Sequence, residues 1–189
     1  FLKGSILDTG TETTGRVFRS SGPELIFSKD GGATLDPAAL IKAVKSLVDD
    51  LSGDQRVYEG ILLTGQMHGF VMVDDDGHPK TDVVTWRDDL RRNGDATNSS
   101  AVLSQRLNHQ FLVEVGNELR AGIPLAGILT RLSLGLQFEG LTPHSLISFV
   151  AHCLCDKFKD PIMHNTDAAA HGFLDLHTNS WHYSLLEEC

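Results

Sequence analysis

The first stretch whose residue types suit chemistry is Asp8-Thr9-Gly10-Thr11, which follows a short apolar segment. A carboxylate at the end of a buried strand is costly unless a cation lies nearby. A following glycine lets backbone amides approach an anion, and threonine hydroxyls add hydrogen-bond donors. These residues suit a magnesium ion bound to phosphates. Taken alone, the same four residues are explained better by a plain hairpin turn that binds no ligand.

The second stretch is Gln66-Met67-His68, which has Gly65 before it and Gly69 after it. Glutamine and histidine offer donors and acceptors for hydroxyl groups, and methionine offers a soft apolar surface for the carbon face of a sugar. The two glycines permit close approach of the backbone. The stretch therefore suits a polyol. A loop in which the histidine caps a neighbouring carbonyl is at least as good an interpretation of these five residues in isolation.

The composition excludes several classes of protein. The chain has 189 residues, of which 41% are hydrophobic and 22% charged, and it carries a net charge of -9. One folded domain over residues 1–189 is expected from this length and composition. The 16 basic residues are outnumbered by 25 acidic ones, which argues against nucleic acid as a partner.

Cysteine usage and hydropathy indicate a protein of the cytoplasm. The three cysteines are an odd number, and Cys153 and Cys155 stand too close for an easy bridge. Reduced thiols in an apolar helix fit this spacing better than a zinc site. The sequence shows neither an apolar run of the roughly 18 residues that a membrane span needs nor a signal peptide, so no membrane partner is expected.

The elements that must position the two stretches follow from the apolar pattern. Strands are predicted at residues 5–7, 16–19 and 25–27, and a helix is predicted to begin after Asp36 and to end at Gly53. Residues 57–65 are predicted to form a buried strand, which would carry Gly65 to His68 at its C-terminal end. Further strands are predicted at 69–73, 81–86 and 173–176, and helices within 87–119, 126–136 and 143–158, with Pro143 near a first turn.

The order of these elements predicts an α/β fold with strands of mixed direction in one sheet and helices on its faces. Ligands in such sheets lie at the carboxyl ends of strands. We therefore expect Asp8 and the Gln66 to His68 stretch to meet in one cleft.

Four motifs in the same order resemble the N-terminal half of the FGGY carbohydrate kinases. They are DTGT, GILLTGQMHGFVMVDDDGHP, VVTWRDD and TDAAAHGFLDLHTNSW. The GQMHG form is most similar to the ketose members of that family, the xylulose and sedoheptulose kinases. The resemblance implies a ribonuclease H-like domain, also called an actin-like ATPase domain, which is one of two that close on a sugar and ATP.

The resemblance also implies roles for individual residues. Asp8, Gly10 and Thr11 would face magnesium and the phosphates of ATP, with Asp8 serving the metal. Gln66, Met67 and His68 would contact a ketose, and Trp86 and Asp88 match a Trp-x-Asp motif near the sugar pocket. Asp167 is expected to support the fold. No catalytic residue is expected within the chain, because the resemblance places the general base and the nucleotide-binding second domain after its last residue.

Two positions depart from the family pattern, and other functions remain open. Gly15 and Leu90 stand where the family has basic residues, and each is followed by an arginine, Arg16 or Arg91. These departures favour a non-catalytic sugar-binding or regulatory module as the first alternative to a kinase. An actin-like or chaperone-like ATPase is the second alternative, and a metal-dependent hydrolase built on Asp8, His68 and Asp88 is a third. Neither the particular sugar nor the oligomeric state, including a homodimer, follows from the sequence.

Overall fold

The structure is a computed structural model, and it describes residues 2–53, 57–90, 109–116, 122–155, 162–172 and 174–184. The strands are β1 (Leu2–Gly4), β2 (Leu7–Asp8), β3 (Thr13–Thr14), β4 (Phe18–Ser20), β5 (Ile26–Phe27), β6 (Ala33–Leu35), β7 (Gly69–Val73), β8 (Val83–Thr85), β9 (Thr142–His144), β10 (Leu174–Asp175) and β11 (Ser180–Trp181). The helices are α1 (Pro37–Ser52), α2 (His109–Val115), α3 (Pro124–Ser133), α4 (Leu146–Leu154) and α5 (Asn165–His171).

A five-stranded sheet in the order β5-β6-β8-β7-β9 lies at the centre of the fold, and its strand pairs are antiparallel. Every residue of β7 is buried, which is typical of a strand covered on both faces. Alternate β7 side chains belong to two clusters. Val71 and Val73 pack with residues of α1 and α4, while Phe70 and Met72 pack with Val84 and Ile128.

Helix α1 begins and ends where its sequence predicts. The Asp36 carboxylate accepts a hydrogen bond from the backbone N–H of Ala39 at 2.6 Å, and Pro37 occupies the first turn. Gly53 terminates the helix with a φ of 48°, a conformation that favours glycine. Leu40 and Leu47 are buried, and the helix contacts β1, β4 and α4. The capping and periodicity prediction for this helix is confirmed.

In the part of the chain that the structure describes, three two-stranded pairs lie outside the central sheet, namely β1 with β4, β2 with β3, and β10 with β11. The predicted N-terminal hairpin is therefore present, but its strands differ from the predicted residues 5–7 and 16–19. Leu2 pairs with Ser20 in the outer ladder, and Leu7 pairs with Thr14 in a second ladder nearer the turn. The C-terminal strand prediction is confirmed at Leu174 and Asp175.

The prediction of a buried strand at residues 57–65 is wrong. The structure assigns no strand to these residues, and Val57 and Leu62 are 99% and 93% exposed. Both edges of β7 are already paired, by β8 and by β9, so this run has no open edge beside the strand that follows it. As a result, Gly65 to His68 precede β7 at its N-terminal end and do not follow a strand.

The prediction of a helix over 143–158 is also too long at its start. Pro143 lies in β9, paired opposite Met72, and Ser145 caps α4 by accepting from the N–H of Ser148 at 3.0 Å. A proline fits this edge strand because β9 pairs on one side with β7. Most of the predicted helical region 87–119 lies outside the described residues. In its described parts, residues 109–115 form α2, whereas residues 87–90 follow β8 without forming a helix, so the helix prediction is wrong there. Among the helices described, each is too short or too polar to cross a bilayer.

Candidate functional site

The Asp8 hairpin is exposed and held by local contacts. The Oδ1 atom of Asp8 accepts hydrogen bonds from the backbone N–H groups of Gly10 and Thr11 at 2.9 and 3.0 Å. The hydroxyls of Thr11 and Thr13 lie 2.7 Å apart. Such a turn is formed by an aspartate without any ligand. The side chains of Asp8 and Thr11 are both exposed, so a ligand can reach their oxygen atoms from solvent.

The same hairpin borders a groove of about 620 Å³ that also includes Arg16 and Asp50. The Arg16 guanidinium lies 5.7 Å from the centre of the Phe18 ring, which places this cation along the groove wall. Arg16 is one residue later than the basic position of the family pattern. It nevertheless lines the groove that contains the predicted phosphate-binding aspartate.

The orientation of His68 is fixed by helix α5. Its Nδ1 atom lies 3.2 Å from the backbone carbonyl oxygen of Ala170. A carbonyl only accepts hydrogen bonds, so Nδ1 carries the proton in this contact and Nε2 is left as an acceptor. An acceptor nitrogen at this position suits the hydroxyl hydrogen of a polyol. His68 is half-buried, which keeps its ring in place while one side remains accessible.

Met67 and Gln66 flank the histidine in different environments. The Met67 side chain is 58% exposed and lines a cavity of about 440 Å³ together with Ile147, Ile162 and His164. The Nε2 atom of Gln66 is buried and has no hydrogen-bond partner in the described part of the chain. An unpaired buried amide is unusual, because desolvation without a partner is costly.

Three histidines among the described residues have a buried ring nitrogen without a hydrogen-bond partner, namely His144, His152 and His171. His144 and His171 are 2% and 3% exposed, and burial lowers the pKa of each to about 4. Positive charge on His152 lowers the pKa of His144 further, and charge on His68 and His144 does the same for His171. Both rings are therefore neutral near pH 7. Isolated histidines in apolar surroundings gave no sequence signal that separated them from surface histidines.

Asp167 links α5 to α4. Its carboxylate accepts a hydrogen bond from the hydroxyl of Ser145, the residue that caps α4. Burial raises the pKa of Asp167, while the Ser145 hydroxyl and nearby His164 lower it. The side chain is buried. These contacts agree with a supporting role in the fold, although Asp167 also borders the cavity beside Met67.

The turn after β8 places Trp86 and Asp88 in opposite environments. Trp86 is 59% exposed, whereas Asp88 is 5% exposed. The Arg131 guanidinium donates to both carboxylate oxygens of Asp88, at 2.9 and 3.0 Å, and Asp88 also accepts from the backbone N–H of Ala33 at 2.9 Å. Asp88 is thus bound to protein groups in this structure. A contact between Asp88 and a sugar stays a prediction.

Arg131 is the main residue that sequence reasoning missed. It lies in α3, a helix whose other buried side chains are mostly apolar. A single arginine at a buried position of such a helix needs an acidic partner. The helix pattern contained that signal, but it did not identify Asp88 as the partner.

The predicted residues do not all line one cavity. Asp8 borders the groove near α1, and Met67 borders the cavity near α4 and α5. In the described part of the chain, Trp86 and Asp88 line neither of these two spaces. The expectation of a single cleft shared by Asp8 and His68 therefore stays a prediction.

The turn after β7 brings three possible metal ligands together among the described residues. Oxygen and nitrogen atoms of Asp74, Asp76 and His78 lie within 4.8 Å of one another. However, the Lys80 ammonium lies 2.7 Å from Asp74, and this hydrogen bond is the main cause that lowers the pKa of Asp74 to about 2. A bound ammonium competes with a metal for that carboxylate. Magnesium binding at Asp8 stays a prediction.

Comparison with known proteins gave a match to xylulose kinase in sequence and many matches to sugar kinases in fold. No family model matches the chain. A xylulose kinase from Staphylococcus epidermidis is 32% identical over 73 residues, which are 39% of this chain and 14% of that protein. A ligand-bound xylulose kinase from Lactobacillus acidophilus has a TM-score of 0.78 at 22% identity, and a glycerol kinase from Plasmodium falciparum with ADP has 0.78 at 15%.

These matches confirm the predicted fold and resemblance. The alignments with the two solved kinases cover 98% and 95% of this chain, which spans 37% and 36% of their lengths. The chain has an α/β, ribonuclease H-like fold with helices on the faces of its sheet. The resemblance to the N-terminal part of the FGGY carbohydrate kinases is confirmed.

Proposed function

We propose that this chain, which shares the fold of the N-terminal part of the sugar kinases, is the sugar-binding part of an ATP-dependent kinase that phosphorylates a ketose hydroxyl. The observation that supports this most is the 32% identity to a xylulose kinase over 73 residues. The GQMHG stretch and the acceptor nitrogen of His68 agree with a polyol substrate. A second domain in the same protein supplies the nucleotide-binding half.

The Asp8 hairpin suits magnesium that enters with ATP. Carboxylate and hydroxyl oxygens are ligands that Mg²⁺ prefers, and the side chains of Asp8 and Thr11 are both exposed. The N–H groups of Gly10 and Thr11 are oriented by Asp8, and Arg16 adds positive charge to the groove. When bound, magnesium neutralises charge on the phosphates.

The sugar is oriented by groups at the start of β7 and in the turn after β8. His68 accepts a hydrogen bond from one sugar hydroxyl at Nε2, because Nδ1 is held by Ala170. Met67 and Trp86 offer exposed apolar surface to the carbon face of the sugar. The proton of the attacking hydroxyl passes to a carboxylate outside this chain, so the described residues bind and orient and do not act as the base.

A non-catalytic sugar-binding module is the second candidate. The glycine and leucine at positions 15 and 90, where the family has basic residues, favour it. A full-length kinase hydrolyses or transfers phosphate faster when sugar is added, whereas a module shows no sugar-stimulated turnover. A coupled ATPase assay on the full-length gene product separates the two.

Calorimetry tests the sugar site in this chain directly. We expect xylulose or another ketose to bind the chain with measurable heat, and we expect His68→Ala to abolish that heat. His177→Ala is a matched control, because His177 is an exposed histidine in the turn between β10 and β11. If ketoses give no heat with either the unchanged chain or His68→Ala, the proposal of a sugar site in this chain is wrong.

A further inference from the structure

A buried ion pair joins helix α3 to the turn that carries Trp86. The Nη1 and Nη2 atoms of Arg131 donate to the two oxygens of Asp88 at 2.9 and 3.0 Å. The two side chains are 9% and 4% exposed. A bidentate pair of this kind sets the direction of the carboxylate as well as its distance, because the planar guanidinium matches two oxygens at once.

Arg131 is itself held in place by α3 and β7. Its Nη1 atom donates to the carbonyl oxygen of Gly127 at 3.2 Å, and the guanidinium carbon lies 5.6 Å from the centre of the Phe70 ring. Phe70 is fully buried in β7. The guanidinium therefore has a fixed position before any ligand binds.

Strand β6 holds the same turn from the other side. The Thr85 hydroxyl donates to the carbonyl oxygen of Ala33 at 2.9 Å, and Asp88 accepts from the Ala33 N–H. The N–H of Asp88 also donates to the Thr85 carbonyl at 3.0 Å, which closes the turn. Trp86 thus lies between two residues that are each bound to β6.

The backbone of Trp86 also packs against the segment before α3. A methyl group on Gly122 would lie 2.5 Å from the Trp86 carbonyl oxygen, and Gly122 has a φ of 88°. Only glycine permits this close approach without strain. The Trp86 turn is therefore bounded by β6, by the Gly122 segment and by Arg131, while the indole itself stays exposed.

We propose that Arg131 is a positioning residue for the sugar site: it fixes Asp88 and thereby orients the Trp86 indole toward the ligand. The identity of the ligand as a sugar rests on the proposed function, whereas the ordering of the Trp86 turn by Arg131 does not. Arg131 is buried and lines neither of the two described cavities. Its contribution is that Trp86 is already ordered when the sugar arrives, which lowers the entropy lost on binding.

The experiment uses the fluorescence of Trp86 to report the motion of its own side chain. Trp181→Phe leaves Trp86 as the single tryptophan of the two in the chain. In that background, Arg131→Met with Asp88→Asn removes both charges, so no buried charge is left unpaired, and the carboxamide oxygen still accepts from the N–H of Ala33. Arg131→Lys keeps the charge and loses the bidentate geometry. Arg19→Met is the matched control, at an exposed arginine in β4.

Time-resolved fluorescence anisotropy of Trp86 gives the first readout, and ketose affinity gives the second. We expect the double variant to keep its far-UV circular dichroism while the fast, local component of the anisotropy decay grows about twofold. We expect its Kd for ketose to rise about tenfold. In both readouts Arg131→Lys should lie between the parent and the double variant. The Arg19→Met control should match the parent in both readouts.

The outcomes separate this inference from the proposed function. Unchanged Trp86 anisotropy in a folded variant overturns the positioning role, whatever the sugar affinity. If the double variant does not fold, Arg131→Lys decides by the same readout. A third outcome is that Trp86 motion increases in the variant while the parent chain binds no ketose. Arg131 then orders the turn, but the ketose is not the ligand of this site.

Discussion

The Asp8 hairpin and the Trp86 turn are both short loops that follow strands, and both were predicted to meet the ligands, yet they are held in different ways. The hairpin is exposed from residue 7 to residue 15, and the hydrogen bonds described for it are local, between residues 5 and 15. The turn is bound to β6 and α3 by buried groups distant in sequence, through Asp88.

This difference separates two ways of building a ligand site. A loop fixed by buried, non-local contacts has its binding geometry before the ligand arrives. A loop fixed by local, exposed contacts opens at low free energy and gains order from the ligand that it binds. If the proposed function holds, the Trp86 turn is ordered before the sugar binds, and the Asp8 hairpin gains order from the nucleotide and its metal.

Removing one partner of the buried ion pair should have the largest effect. Arg131→Met leaves the Asp88 carboxylate buried without its cation, and we expect the free energy of unfolding to fall by about 3–5 kcal/mol. Urea denaturation measures this change. Arg19→Met should change stability by less than about 0.5 kcal/mol. Equal, small effects of the two variants would show that the buried ion pair does not hold the Trp86 turn.

Acid should destabilise the region of β9 and α5, which contains His144 and His171, without any mutation. The pKa values of His144 and His171 are about 4 in the folded chain, against 6.5 for an ordinary histidine. Below pH 6.5 the two imidazoles therefore bind protons in the unfolded chain, whereas in the folded chain they bind them only near pH 4. The contribution of the two neutral rings to the free energy of unfolding is fully present above pH 6.5 and is lost as the pH falls from 6.5 toward 4. At about pH 5 the loss is about 2 kcal/mol per ring.

Urea denaturation at about pH 7.5 and about pH 5 measures this loss. His144→Leu removes one of the two titrating rings, so about half of the loss should disappear. His177→Gln, at an exposed position, should leave the pH dependence unchanged. A pH-independent free energy of unfolding in the parent chain would mean that the two buried rings do not keep their neutral form.

A pair of glycine substitutions compares the two loops directly. Gly122→Ala places a methyl group 2.5 Å from the Trp86 carbonyl at a φ of 88°, and we expect it to cost about 1–3 kcal/mol. Gly10→Ala places one 3.4 Å from Asp8 at a conformation without positive φ, and its cost should stay below about 0.5 kcal/mol. Thermal or urea unfolding of both variants tests this. The reverse order would contradict the inferred difference in rigidity.

The smallest effect on stability is expected at Asp8. Asparagine keeps the oxygen that accepts from Gly10 and Thr11, so Asp8→Asn should change the free energy of unfolding by less than about 0.5 kcal/mol. In the full-length protein, the same change should weaken Mg-ATP binding, because a carboxylate ligand is lost. Normal nucleotide affinity combined with normal stability would show that Asp8 serves neither purpose.

Local signals in the sequence predicted the local parts of the fold. Asp36, Pro37 and Gly53 mark helix α1 because capping depends on residues within one turn. The error at residues 57–65 has the opposite origin, because pairing as a strand depends on which strands lie beside the run, and that depends on the whole topology.

The candidate site was predictable to a similar extent. The residue types at Asp8 and His68 could be interpreted one motif at a time, and the order of the motifs indicated the family. The pairing of Asp88 with Arg131 spans 43 positions, and no periodicity relates two residues that far apart. The sequence therefore indicated which residues are chemically suited to bind a ligand, whereas the side chains that hold them in place are seen only in the three-dimensional structure.

The contact between His68 and Ala170 has a further consequence for substitution. The imidazole donates on one side, to the main chain of α5, and offers a lone pair on the other. An asparagine amide can reach only the near position and a glutamine amide only the far one, so neither isostere spans both. Replacement by any carboxamide would either free the loop or remove the hydroxyl acceptor, which makes this position intolerant of conservative exchange.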